Sequence, residues 1–202
     1  MSRLVRMLLL ATLTCGLSAP SANAAPTRPL AAALGDLWTT VIETPTAENP
    51  FVTGNPACVD LGGNTVAPFT PFPGGDFTCT VKRGTRIFVA ASTWECSTFA
   101  GDHFDFGTTE PELRECARQN DAGAAPTVMV DGRPVPVRGV ETQLLSIDLP
   151  ADNIFGVTGV DRTGGSVAHG WVIRLHPLAR GTHTIESDIA GREPITTTII
   201  VE

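Results

Sequence analysis

The sequence predicts a mainly-β protein: an antiparallel β-sandwich with a short N-terminal helix and a disulfide-tied insert. Three observations lead to this prediction. Apolar and polar residues alternate over the last third of the chain, and one early segment has the periodicity of an amphipathic helix. Turn signals recur roughly every ten residues, which is typical of sandwiches and barrels.

The first 24 residues have the pattern of a signal peptide. Arg3 and Arg6 precede the apolar run 8–13, and Ala22-Asn23-Ala24 is a small-x-small cleavage site. The apolar run is far shorter than the roughly 20 residues of a membrane span. We therefore expect residues 25–202 to form one secreted, extracellular domain with no membrane span after signal cleavage.

The segment 30–42 is predicted to be the helix. Leu30, Leu34, Leu37, Trp38, Val41 and Ile42 recur at helical spacing. Pro45 and Pro50 prevent much continuation. The expected role of this helix is to pack Trp38 against the sheet.

Two turns in the middle of the chain are predicted to close hairpins. In the segment 78–92, Gly84 can take the positive φ that the first turn requires. In the second, Asp131-Gly132 follows the strand 127–130, and an Asp-Gly pair between strands is a strong hairpin signal.

The closing strands show the alternation most clearly. Within the segment 166–176, one face carries Val167, Trp171, Ile173 and Leu175. The final segment 195–201 is rich in β-branched residues, which favour strands. We predict that the last three strands are antiparallel neighbours and that Trp171 is buried near Ile185 and Ile199.

The four cysteines that remain after signal cleavage are expected to form two disulfides. They are Cys58, Cys79, Cys96 and Cys116, and an even number in an exported chain is typical of a disulfide framework. Three pairings are possible, of which neighbouring pairs are favoured because they close short, turn-rich loops. A zinc site is disfavoured because no two of them stand within a few residues of each other.

The net charge argues against several partners. The formal charge of −7 would become −9 once Arg3 and Arg6 are removed, and Lys82 is the single lysine. We expect no basic face for nucleic acid or anionic lipid. No cofactor is predicted.

The insert 94–120 contains a predicted short helix at 111–118, which Cys116 would tie back to the sheet. Asp102, His103 and Asp105 form a tight cluster of oxygen and nitrogen ligands in it, to which Glu95 or Glu110 could add a carboxylate. Such groups suit a divalent cation, but their spacing matches no defined metal loop. A metal site here is kept as an alternative, and no catalytic residue is assigned.

The histidines of the closing strands have simpler interpretations. His183 follows a turn and is expected to bond a turn carbonyl. His169 lies on the apolar face of its strand and is expected to be a hydrogen-bonded core histidine. His176 precedes Pro177 and should be exposed.

The segment from Pro177 to Ile185 resembles a Pro-x-x-x-Gly-x-His-x-Ile run that precedes the closing strands of many bacterial immunoglobulin-like sandwiches. The turn from Val130 to Val135 is similar to another hairpin of such domains. With Cys58 and the Cys79-Thr80-Val81 segment, the layout resembles an uncharacterised, actinobacterial-type family of secreted proteins. The resemblance implies an Ig-like sandwich and no catalytic assignment.

Two functions follow as expectations. The first is a non-catalytic extracellular or cell-envelope protein that binds a protein, a cell-wall component or a glycan. The second is a secreted hydrolase or metal-dependent enzyme with its site in the insert 94–120.

Secretion yields a direct test. N-terminal sequencing of the protein recovered from culture medium should begin at Ala25 or within a residue or two, because cleavage follows the small-x-small site. Cytoplasmic protein that keeps Met1 would contradict the prediction.

Overall fold

The computed structural model of the protein describes residues 29–54, 58–68, 76–99 and 105–202. The predicted signal peptide, 1–24, lies outside the described residues, as do Asp102 and His103 of the insert. The helices are α1 (Leu30–Glu43), a 3-10 helix (Thr46–Glu48), α2 (Pro50–Thr53) and α3 (Glu110–Asn120). The strands are β1 (Cys58–Asp60), β2 (Thr65–Pro68), β3 (Phe77–Val81), β4 (Arg86–Ser97), β5 (Asp105–Phe106), β6 (Thr127–Val130), β7 (Arg133–Val135), β8 (Arg138–Glu141), β9 (Leu145–Asp148), β10 (Thr163–Leu175), β11 (Gly181–Asp188) and β12 (Ile195–Val201).

The strands form two sheets, which confirms the mainly-β prediction. The first sheet has the order β1-β2-β4-β10-β8, with β5 also paired to β4 and β9 also paired to β10. The second has the order β3-β12-β11-β6-β7. The prediction of an antiparallel sandwich is wrong in one respect: β2 and β5 pair with β4 in parallel, and β3 pairs with β12 in parallel. Both sheets are therefore mixed, and the Ig-like classification stays a prediction.

The sandwich core lies between the two sheets. Val89 and Ile173 of the first sheet pack in one cluster with Ile185 and Ile199 of the second. The disulfide between Cys58 on β1 and Cys79 on β3 joins the sheets at this core. Burial of these apolar faces is the main force that holds the sheets together.

Helix α1 covers the face of the first sheet that points away from the second sheet. It confirms the helix predicted at 30–42. Its buried stripe packs with Phe88 and Val172 in a second core cluster. Trp38 is 7% exposed, and its Nε1 donates a hydrogen bond to Thr93 Oγ1 at 3.0 Å. The prediction that Trp38 packs against the sheet is confirmed, and the helix extends one residue further, to Glu43.

The insert is shorter at its start than predicted. Strand β4 continues to Ser97, so residues 94–97 belong to the sheet and not to the insert 94–120. Helix α3 begins with a capping box between Thr109 and Glu112, which satisfies exposed backbone N–H groups of its first turn. The second disulfide joins Cys96 on β4 to Cys116 on α3. Both disulfides thus join cysteines that are neighbours in the sequence, which confirms the favoured pairing.

One predicted hairpin forms and the other does not. Strands β6 and β7 pair in an antiparallel hairpin, and Asp131 and Gly132 have φ of 50° and 71° at its turn. Positive φ at both central residues matches the right-handed twist of the strands. The segment 78–92 is instead an arch, because β3 and β4 lie in different sheets. A glycine turn permits either outcome, and the pairing of β3 with β12 decides it.

The last three strands are not all neighbours. β11 and β12 pair antiparallel, but β10 belongs to the other sheet. Trp171 is half-buried and lies outside the sandwich core, beside Gly139 and His169. The prediction that it packs near Ile185 and Ile199 is therefore wrong. None of the helices in the described part of the chain has the length and hydrophobicity of a membrane span.

The packing of α1 on the sheet predicts a specific cost for losing Phe88. Phe88 is fully buried, so Phe88→Ala should lower the free energy of unfolding by roughly 3–5 kcal/mol through lost burial and a residual cavity. Phe106→Ala is the matched control, because Phe106 is 50% exposed. Urea unfolding followed by tryptophan fluorescence measures both; equal effects of the two changes would refute the packing.

Candidate functional site

Asp105 is the one residue of the predicted metal cluster whose position is described. Its Oδ2 accepts hydrogen bonds from Trp94 Nε1 at 2.6 Å and from Asn120 Nδ2 at 3.2 Å. The sulfurs of Cys96 and Cys116 lie near this carboxylate, but they are joined in a disulfide and are not thiolate ligands. Asp105 thus holds the insert against β4 and α3, while Asp102 and His103 of the predicted set lie outside the described residues.

His169 contacts a buried carboxylate rather than an apolar core. Its Nδ1 lies 2.7 Å from Asp121 Oδ2, and Ser92 Oγ donates to Asp121 Oδ1 at 2.7 Å. Asp121 follows α3 and is 3% exposed. In a hydrolase relay, the serine would contact the histidine and not the carboxylate. These three residues therefore connect the end of α3 to β4 and β10 and do not form a nucleophile relay.

The predicted hydrogen bond between His183 and a turn carbonyl is confirmed. Its Nε2 lies 2.9 Å from the carbonyl oxygen of Ala179, and its Nδ1 lies 2.7 Å from Asp131 Oδ2. Asp131 and the Ala179 carbonyl accept hydrogen bonds from the ring and so raise the pKa of His183, since an imidazolium can donate from both nitrogens. His176 is exposed, as predicted.

Glu95 is a buried acid, which the sequence suggested only as a possible further ligand of the metal cluster in the insert. It is 5% exposed, and its Oε1 accepts a hydrogen bond from Ser166 Oγ. Its Oε2 has no hydrogen-bond partner among the described residues. Burial raises the pKa of Glu95 to about 8, against the opposing effect of the Ser166 hydrogen bond. Glu95 is therefore protonated at neutral pH.

An open groove of about 690 Å³ lies near the start of α1. It is at the opposite end of the first sheet from Glu95. Arg86, Arg138 and Arg174 all line it, and we call it the basic groove. Most of its other lining is apolar: Leu30, Val135, Pro136, Val172, Ile173, Leu175 and Pro177, with Asn64, Gly84 and His176 completing it. Its volume falls within the range of about 300–1,000 Å³ of small-molecule sites.

The strand register explains why the three arginines meet. Arg138 on β8 is opposite Val172, and Arg174 on β10 is opposite Phe88. Directly opposed residues share a face of the sheet, and Val172 and Phe88 belong to the core beneath α1. Arg86 stands two residues before Phe88 on β4 and so projects from the same face. All three arginines therefore emerge on the α1 side, just beyond the start of that helix.

Sequence reasoning missed this cluster. The net charge of −7 suggested no basic face, but it does not report how charges are distributed. The available signal was the alternation in the last third, which placed Arg174 and His176 on the face opposite Ile173. It could not connect them to Arg86 or Arg138, which lie on other strands.

The buried Glu95 predicts a pH-dependent stability. Between its ordinary pKa of 4.5 and about 8, the unfolded chain loses a proton that the folded chain keeps. The contribution of Glu95 to stability is therefore complete below pH 4.5 and is lost as the pH rises to about 8. Glu95→Gln should remove this loss and raise the free energy of unfolding at pH 8 by at least about 1 kcal/mol, given about 1.4 kcal/mol per pKa unit.

Urea unfolding at several pH values between 4 and 9 measures the effect, with the exposed Glu193→Gln as control. If Glu95→Gln lowers stability equally at all pH values, Glu95 is not a buried neutral acid.

No protein-family model matches this chain, and no curated protein matches it. Among solved structures, the solution structure of Amebosin is similar over 64% of this chain and 99% of its own length, with 10% sequence identity and a TM-score of 0.21. A TM-score this low carries no argument about fold or function.

Proposed function

We propose that this protein is a secreted, non-catalytic binding protein of the cell envelope or extracellular space, and that the basic groove is its ligand site. Its partner is an extracellular protein, a cell-wall component or a glycan. The observation that carries the proposal is the lining of the groove, which combines apolar surface with three arginines and, among its described residues, contains no carboxylate, serine, threonine or cysteine.

This lining supports binding rather than turnover. Hydrolysis uses an activated nucleophile or a pair of acid and base groups held within reach of the substrate. His176 is the single histidine of the described lining, and it is exposed just after β10. Arginine remains protonated and serves to bind anionic or polar groups.

Secretion is supported by the signal-peptide pattern of residues 1–24 together with two disulfides. Disulfides persist in oxidising compartments and are rare in the cytosol of most organisms. The Ig-like character rests on the sequence resemblance and on the two facing sheets, which are typical of a sandwich.

The second candidate, a secreted hydrolase with its site near the insert, draws on Glu95. A carboxylic acid that stays protonated at neutral pH has the property of a general acid. Two features weaken this candidate: Glu95 is almost wholly buried, and Asp105 already accepts two hydrogen bonds within the fold. The groove offers an accessible surface, and the environment of Glu95 does not.

A fragment screen tests the proposed function. The disulfide-bonded protein is mixed with a library of small polar and apolar compounds, and binding is detected by ligand-observed NMR. We expect some compounds to bind the unchanged protein and to lose this binding in His176→Trp, because the bulkier side chain would fill part of the groove. Thr182→Trp is the control, since Thr182 is exposed on β11 and does not line the groove.

Mass spectrometry of the same compounds after incubation should find them unchanged. Conversion of a compound that is lost in Glu95→Gln but kept in His176→Trp would favour the hydrolase instead. Absence of any binder sensitive to His176→Trp would contradict the groove as the ligand site.

A further inference from the structure

The basic groove differs in charge from the rest of the protein. The sequence contains 21 acidic residues against 14 basic ones, yet three arginines line this groove and no carboxylate does so among its described residues. The described salt bridges of the other arginines join Arg114 and Arg118 of α3 to Glu110 of the same helix and to Glu141 of β8, none of which lines the groove. The groove is thus a local positive site on an acidic molecule.

Two of the three arginines, Arg86 and Arg138, take part in no ion pair among the described residues. Arg138 is exposed and takes part in no described ion pair. Arg86 is half-buried, and its Nη1 donates to the carbonyl oxygen of Gly63 at 3.4 Å. This acceptor is neutral, and no carboxylate is described as a counter-ion of Arg86. A guanidinium presents a planar fork of N–H donors that matches the oxygens of a carboxylate or a phosphate.

The start of α1 adds to the positive potential. Leu30, the first residue of α1, lines the groove. The first turn of this 14-residue helix contains no acidic residue, and its N-cap, Pro29, offers no side-chain hydrogen bond. The N-terminal end of a helix dipole carries partial positive charge and favours an anion nearby. This effect supports the arginines and would not define a site without them.

The apolar surface between the arginines restricts the ligand further. The exposed Pro136 and Pro177 line the groove together with the half-buried Leu30 and Val135. An inorganic ion would leave this apolar surface in water, whereas an organic body would bury it at about 25 cal/mol per Å². Charge and apolar surface together therefore select one class of ligand.

We propose that the basic groove binds an organic anion, with a carboxylate or phosphate group held by Arg86 and Arg138 and an apolar body packed on Pro136, Pro177 and Leu30. This inference rests on the proposed function, because it names the ligand class of the same groove. The shared chemistry is the anionic oxygen group, and the two sources of it are distinguished by experiment.

Four probes separate the contributions: hexanoate, hexyl phosphate, hexan-1-ol and inorganic phosphate. Each is titrated into the disulfide-bonded protein and followed by isothermal calorimetry and by the NMR signals of the arginine side chains. We expect hexanoate or hexyl phosphate to bind at least about tenfold more tightly than hexan-1-ol, which corresponds to about 1.4 kcal/mol. The tighter of the two identifies the anionic group, and inorganic phosphate should bind more weakly than hexyl phosphate.

Arginine variants locate the site. Arg138→Ala and Arg86→Ala should each weaken binding of the preferred anion by at least about fivefold, about 1 kcal/mol, and leave hexan-1-ol binding unchanged. Arg138→Lys keeps the charge but loses the planar fork, so it should fall between Arg138→Ala and the unchanged protein. Arg192→Ala is the control, because Arg192 is exposed and lies outside the groove. Arg138 is exposed, so its variants should keep the melting temperature and remain informative if Arg86→Ala unfolds.

The outcomes separate this inference from the proposed function. If hexan-1-ol binds as tightly as the anions, or if the Arg138 variants bind them unchanged, the organic-anion inference fails while a groove that binds neutral compounds survives. If no probe and no library compound binds at the groove, both proposals fail.

Discussion

The pairing of β4 with β10 is the interaction on which the other layers depend. The ladder runs from Ser166 opposite Ser97 to Leu175 opposite Ile87. Helix α1 packs on one face of it, while the second sheet and α3 share the other face. Because both faces are covered, apolar side chains must point both ways at the centre of the ladder. A one-residue slip would exchange the two faces and break every layer contact at once.

Two local features accommodate this double coverage. The register of the ladder shifts between Trp171 and Val172, where β4 contributes one extra residue. Such a bulge bends a strand and increases its twist. Gly170 lies opposite Thr93, and a Cβ at this position would come within 2.9 Å of the threonine side chain. The glycine therefore permits a close approach of the two strands just beneath Trp38, which donates its hydrogen bond to the same threonine.

The two ends of the ladder have opposite chemistry. At one end, the disulfide of Cys96 holds α3 over the sheet, and Glu95 is enclosed as a neutral acid. At the other end, the strands pass beyond the start of α1, and the arginines emerge beside apolar surface. Enclosure raises the pKa of an acid and removes it from solvent, whereas the open end leaves cations accessible. The basic groove therefore lies at the open, α1 end of the sheet.

The sequence by itself determined what depends on neighbouring residues. Helical spacing identified α1 with Trp38 inward, Asp131-Gly132 identified one hairpin, and His183 was correctly assigned to a turn carbonyl. Only the tertiary structure decided the contacts between distant segments. It placed β3 beside β12 instead of β4, moved Trp171 out of the sandwich core and brought Arg86, Arg138 and Arg174 together from three strands. The reason is physical: periodicity specifies which face a side chain occupies, but strand order and register depend on long-range packing, and a charged site assembled across strands has no local signature.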